Sequence, residues 1–157
     1  MVQMNEIAKI SSRENAKLGL ARKVRDGKID DRIFIEGLRL AEETMRSGLE
    51  VDDCFVTPAF AETERGRALI ERLDSVNVRI SEVGEHLFRF IADTSNSQGI
   101  ILIAERPREG RMAIERNLQL SSTPLVVFLH EISDPSNLGA VFRTAEAAGV
   151  AGIIVSE

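Results

Sequence analysis

Leu125, Val126, Val127, Phe128 and Leu129 form an apolar run without alternation. A short run of this kind, rich in β-branched residues, suits a strand covered on both faces, which calls for a parallel sheet and a crossover connection. The residues that follow supply the crossover. Pro135 cannot extend a strand, and Asp134, Ser136 and Asn137 are each able to cap a helix that starts here. Leu138, Val141, Phe142, Ala145 and Ala148 then repeat at the spacing of a core-facing stripe. Gly149 offers a left-handed stop, and Ile153, Ile154 and Val155 resume as strand. Residues 124–157 therefore read as a βαβ unit. Ligands of open parallel sheets sit beyond the carboxyl ends of the strands, so the turn 130–137 lies on the ligand side.

The series Asp134, Pro135, Asn137, Gly139, Arg143, Thr144, Ala145 and Gly149 resembles the first motif of the SpoU (TrmH-like) family of RNA ribose 2′-O-methyltransferases, within the SPOUT superfamily. The resemblance implies a knotted α/β methyltransferase domain, S-adenosylmethionine as methyl donor, a homodimer, and a ribose 2′-hydroxyl of rRNA or tRNA as acceptor. Carried over by position, it also implies catalytic roles for Asn137 and Arg143. Chemistry accommodates this, because a 2′-hydroxyl must lose its proton and its developing alkoxide must be stabilised. Arg143 suits fixed positive charge and phosphate contact; a guanidinium stays protonated and makes a poor general base. Taken from the helix alone, Asn137 is a cap and Arg143 a surface partner of Glu146 at i+3.

Upstream, strand and helix patterns alternate. "RIFIEG" reads as strand, residues 38–46 as helix before Gly48, and "VDDCFVTP" as strand. Residues 63–73 read as helix, "VNVRIS" as strand, residues 83–91 as helix and "IILIAE" as strand. Four strands among helices describe a layered α/β domain over residues 1–105. "RIFIEGLRLAEE" and "DTSNSQGIILIAE" are similar to the substrate-binding domain that precedes the catalytic domain in many SpoU-type enzymes, an L30e-like α/β/α fold. That resemblance implies an RNA-engaging module, and we place its RNA surface at the N-terminal helix and the Glu36 to Arg39 corner. Residues 106–123, with Pro107, Gly110 and four arginines before a Ser/Thr run, read as a linker with a helical turn near 112–118, followed by the methyltransferase fragment 124–157.

Net charge is −5, so nucleic acid would have to be met by a local surface and not by the average. Residues 1–25 provide one: Lys9, Arg13, Lys17, Arg22, Lys23 and Arg25 stand against only Glu6 and Glu14. Ser11 with Glu14 matches a capping box, Leu18, Ala21 and Val24 form an apolar stripe, and Gly27 ends the helix. Arg13, Lys17, Arg22, Lys23 and Arg25, with Glu36 and Arg39, are the candidate RNA contacts. A solvated helix face is the alternative for such a cluster.

Other classes find little support. A single cysteine, Cys54, and two separated histidines, His86 and His130, make no metal cluster, and the apolar setting of Cys54 favours a core role. Gly139, Gly149 and Gly152 have neither phosphate-loop nor dinucleotide spacing. No run is long enough for a membrane span and the first residues lack a signal-peptide core, so a cytoplasmic location is expected. The absence of Trp and Tyr removes the usual stacking platform for single-stranded RNA. Because residue 157 closes the second strand of the βαβ unit, the expectation is an N-terminal portion of a methyltransferase, truncated before the knot and inactive by itself. The competing reading is a stand-alone RNA-binding module without catalysis.

Overall fold

The computed structural model describes residues 7–95, 97–107, 110–122 and 124–156. Glu6 of the N-terminal charge cluster, Asn96 of the second motif, Arg108, Glu109 and Thr123 of the linker stretch, and Glu157 lie outside the described residues. The chain divides into two compact units, Met1–Pro107 and Arg108–Glu157.

The first unit runs β1 (Ala8–Ile10), α1 (Ala16–Arg25), β2 (Arg32–Glu36), α2 (Leu38–Ser47), β3 (Val51–Val56), α3 (Pro58–Ala61), α4 (Glu64–Ser75), β4 (Arg79–Val83), α5 (Glu85–Ile91) and β5 (Ile100–Glu105). The strands form one sheet in the order β1-β4-β3-β5-β2. β1, β4 and β3 are mutually parallel, whereas β5 is antiparallel to both β3 and β2. Alternation along the central strands sorts the core onto two faces. Cys54, Val56, Ile100, Leu102 and Ala104 pack with Ala41 of α2 and with Leu69, Ile70 and Leu73 of α4. Phe55, Ile101 and Ile103 pack with Leu18, Ala21 and Val24 of α1 and with Phe88 and Ile91 of α5. The result is a three-layer α/β/α arrangement. Cys54 is a core residue, fully buried, and burial pushes its thiol far above the ordinary range.

Three expectations change here. The sheet has five strands, because Ala8–Ile10 gains a partner in β4, a pairing that no local pattern in three residues announces. The N-cap of α1 is Asn15, whose side chain accepts from Lys17 N–H, while Ser12 Oγ accepts from Glu14 N–H; the Ser11 capping box does not form. The stretch read as a linker carries a full helix, α6 (Arg111–Leu120), because Ile114 has an apolar seat against Gly152 that leaves no room for a Cβ there.

Asp53 is a polar group inside this core, its side chain 3% exposed. Its carboxylate receives Arg79 Nε at 3.1 Å and Nη2 at 2.9 Å from the paired position on β4, and Lys17 Nζ stands 3.2 Å away. Burial alone would raise its pKa. The hydrogen bonds and charges of Arg79 and Lys17 outweigh burial and hold it below the ordinary 3.8. A carboxylate whose folded pKa is depressed contributes stability in full above its unfolded pKa and loses it as pH falls through the folded value. Urea-unfolding midpoints are expected to fall on acidification below about pH 4, and Asp53→Asn is expected to flatten that limb. An unchanged acid limb in the variant would remove Asp53 as its source.

The second unit consists of α6, β6 (Val126–His130), α7 (Pro135–Ala147) and β7 (Gly152–Ser156). β6 and β7 pair in parallel from Val126↔Gly152 to His130↔Ser156, the strand–helix–strand order read from the sequence. Coverage is less than expected. Only Leu129 of the apolar run and Ala145 of the helical stripe are buried, while Phe128 is 62% and Phe142 41% exposed, because the described elements leave much of this two-stranded sheet uncovered.

Candidate functional site

The strand directions bring the carboxyl ends of β2, β3 and β4 to the same end of the sheet as the amino end of β5. Here the chain turns into α2, α3 and α5. Gly37 N–H donates to Ile100 O at 3.0 Å and Thr57 N–H to Gly99 O at 2.9 Å. Gly37, at φ 98°, has no side chain to cap α2, and the cap comes from elsewhere: Gln98 Oε1 accepts from Leu38 N–H at 3.0 Å. In return, Glu36 accepts from Asp93 N–H at 2.7 Å, from Thr94 N–H at 3.3 Å and from the Thr94 hydroxyl. Glu36 and Leu38 thus hold Asp93, Thr94 and Gln98, which joins the two resemblance motifs in one module. Gln98 adopts φ 53°, an unfavourable conformation for a non-glycine residue that its bond to α2 maintains.

The structure divides the candidate RNA contacts. Lys17 is engaged with Asp53. Arg25 Nη1 donates to the carbonyls of Phe90, Ile91 and Ala92 at 3.4, 3.3 and 3.1 Å, satisfying the end of α5, and its Nη2 pairs with Asp26. The guanidiniums of Arg22 and Arg13 lie 4.2 and 4.5 Å from the Phe90 ring centre. Glu36 belongs to the clamp. These five residues fasten α1 to the domain or shape the corner, because each already has a partner inside the fold. Lys23 and Arg39 are exposed and, among the described residues, their side chains form no hydrogen bond or ion pair. The same holds for Arg89 on α5, which sequence reading overlooked: one exposed arginine on a short helix has no local signature.

At the opposite end of the sheet, Arg32 is shared by Asp31, Asp52 and Glu105. Three carboxylates around one guanidinium make that end unattractive to a polyanion.

In the second unit Asp134 is the N-cap of α7, its Oδ1 accepting from Ser136 N–H at 2.7 Å, with Pro135 in the first turn. Asn137 is therefore inside the helix and not its cap. It is exposed, as is Arg143, and among the described residues neither makes a hydrogen bond or ion pair; the Arg143–Glu146 pair does not form. Arg143 Nη1 lies 3.4 Å from where a Cβ on Gly139 would stand, so the guanidinium leans back towards the first turn of its helix. His130 Nδ1 contacts Ser156 Oγ at 2.7 Å across the strand pair, and no group of three His, Cys, Asp or Glu suited to a metal occurs among the described residues. S-adenosylmethionine needs a concave site that covers most of its surface. Around the turn 130–137 the apolar side chains of Phe128, Ile154 and Val155 are exposed, and Ile114 lies against Gly152.

The model of the MRM3-like substrate binding domain matches residues 16–102. The chain belongs to that family. The matched MRM3-like region includes both halves of the Glu36–Gln98 clamp. Among the proteins similar to this chain, the 23S rRNA (guanosine-2′-O-)-methyltransferase RlmB of Haemophilus ducreyi is 34% identical over 95 residues, which is 60% of this chain and 39% of that protein. The mitochondrial rRNA methyltransferase 3A of Danio rerio is 26% identical over 154 residues, covering 98% of this chain and 32% of its own length. The MRM3-like chain thus spans well under half the length of these curated relatives. An AdoMet-bound rRNA methyltransferase from Sinorhizobium meliloti shares the fold, with a TM-score of 0.71 at 22% identity over 98% of this chain and 56% of that one. Both units find counterparts in that mixed α/β structure. No helix among the described residues is long and apolar enough to cross a membrane.

Proposed function

We propose that this chain is the RNA-engaging part of an RNA ribose 2′-O-methyltransferase that takes rRNA or tRNA as substrate and S-adenosylmethionine as donor. The observation that carries the RNA half is the charge asymmetry of the sheet. One end is a hydrogen-bonded corner with free cations at Arg39 and Arg89, and the other is ringed by Asp31, Asp52 and Glu105. Phosphate contact falls to Arg39, Lys23 and the outer face of Arg13, while Lys17, Arg22, Arg25 and Glu36 keep the surface in shape. The methyl-transfer half rests on relatives named as rRNA methyltransferases and on the motif carrying Asn137 and Arg143. The exposed cross-strand pair Phe128 and Ile154, on one face of the two-stranded sheet, is what supports a homodimer through the second unit.

The RNA half is tested by fluorescence anisotropy of the 157-residue chain with a labelled hairpin RNA across a salt series. Affinity is expected to fall with salt, and Lys23→Ala and Arg39→Ala should each weaken binding uniformly across RNA sequences and lower the salt slope by about 1. Binding insensitive to salt and to both variants would sink the proposed surface. The stand-alone module is the second reading, favoured by one observation: the matched family region, residues 16–102, lies wholly within the first unit. Methylation by any longer form of the protein excludes it.

A further inference from the structure

β2 is an edge strand: it pairs with β5 on one side, and among the described residues no strand pairs with the other. The ladder bonds fix what the open side presents. Arg106 N–H donates to Asp31 O and Gly37 N–H to Ile100 O, each at 3.0 Å, at the two ends of the β2–β5 register. Opposed pairs alternate between bonded and non-bonded along an antiparallel ladder, so Asp31, Ile33, Ile35 and Gly37 turn their amides to β5. Arg32, Phe34 and Glu36 turn theirs outward. Arg106 Nη2 reaches Arg32 O at 3.5 Å, and among the described residues nothing accepts from the backbone N–H of Arg32, Phe34 or Glu36. Natural edges are commonly blunted by a proline, a lysine or a bulge; β2 contains neither residue, and its register with β5 is unbroken.

The sequence of this edge, Arg-Ile-Phe-Ile-Glu, has the same apolar pattern in both directions and opposite charges at its ends. Two copies laid antiparallel about Phe34 therefore complement each other at every step. Phe34 meets Phe34 of the second copy, Ile33 meets Ile35, and Arg32 meets Glu36, while the outward amides close about six main-chain bonds. Phe34 and Ile33 are partly buried members of the two core faces, so the pairing covers more of each. Charge sets the direction. Three carboxylates, Asp31, Asp52 and Glu105, surround Arg32 at the amino end of β2, and the carboxyl end runs into the corner that carries Arg39. Antiparallel pairing brings each acidic end towards the other copy's Arg39, whereas parallel pairing would set acid against acid.

We propose that two copies of this chain join edge to edge through antiparallel β2 strands, continuing the five-stranded sheet across a two-fold axis at Phe34. The contact is of the small, transient class and is separate from the one proposed for the second unit. The test is amide-resolved hydrogen exchange by NMR on the 157-residue chain at about 50 μM and about 1 mM. The amides of Ile33 and Ile35 are expected to stay protected in both samples. Those of Arg32, Phe34 and Glu36 are expected to exchange freely in the dilute sample and roughly fivefold more slowly in the concentrated one. Phe34→Cys gives a second readout. At the axis the opposed Cα atoms stand about 5.5 Å apart, within disulfide reach, and Cys54 is fully buried and stays out of the reaction. Mild oxidation is expected to yield a covalent dimer of this variant and none of Leu40→Cys, whose position is exposed on α2 and not on the strand. Free exchange of the outward amides at both concentrations overturns the proposal. So does protection that persists on dilution without a Phe34→Cys cross-link, which would assign the edge to a cover within one copy. A dimer through the second unit alone would raise the mass and leave these amides free, so the two contacts fail independently.

Discussion

If the proposed methyl transfer holds, Arg143→Ala in any form of the protein that carries it is expected to lower kcat for 2′-O-methylation by about 10²–10³-fold while leaving RNA affinity unchanged. The geometry behind this is specific. Arg143 is exposed, its side chain has no partner among the described residues, and its guanidinium lies against Gly139, one turn earlier in α7. On the proposed reading its role is fixed positive charge for an alkoxide that develops at the ribose oxygen, a role that a guanidinium suits better than that of general base. Single-turnover methylation beside RNA binding by anisotropy separates the outcomes. Undiminished turnover would take Arg143 out of the chemistry, and a loss of affinity as large as the loss of rate would make it a binding group. Arg143→Lys, which keeps the charge and loses the planar fork, should fall between.

The second large effect is structural. Gly99→Ala is expected to destabilise the first unit by about 2–4 kcal/mol, read as a shift in the urea midpoint. Two costs add. At φ +76° an L side chain meets the left-handed penalty, and its Cβ would stand 2.5 Å from Thr57 Oγ1 and 2.9 Å from Phe60 Cβ. Gly27 separates them: its φ is +66° and nothing lies within 4 Å of a new Cβ, so Gly27→Ala should cost only the first part, about 1 kcal/mol. Similar losses at the two sites would mean that the close approach at Gly99 relaxes freely.

What could be read from sequence was local. The Leu18, Ala21 and Val24 stripe is buried as its spacing implies, and Gly27, Gly48 and Gly149 all take positive φ at helix ends. Asp134 caps α7, one of three candidates in a stretch of four residues. What escaped depends on partners distant in the chain. Lys17 and Arg25 look like a solvated basic face until Asp53 and the end of α5 are placed beside them. Gln98 caps a helix that begins sixty residues earlier, and no periodicity records that. The same reason hid Arg89, whose place beside the corner exists only once α5 is packed on the sheet. For the second unit the apolar pattern reported strand and helix correctly but overstated burial, since Phe128 and Phe142 need a cover that the described residues do not provide.

The position of β5 has a consequence for how the protein is made. The last strand of the first unit in sequence is inserted between β3 and β2, which do not pair with each other. During synthesis from the amino end, β2 therefore waits without a ladder partner until residues 100–105 have left the ribosome, while β3, β4 and β1 can already associate. The nascent chain carries an open slot in its sheet from the synthesis of β3 until that of β5, and the arrival of this one strand closes the slot and completes the corner.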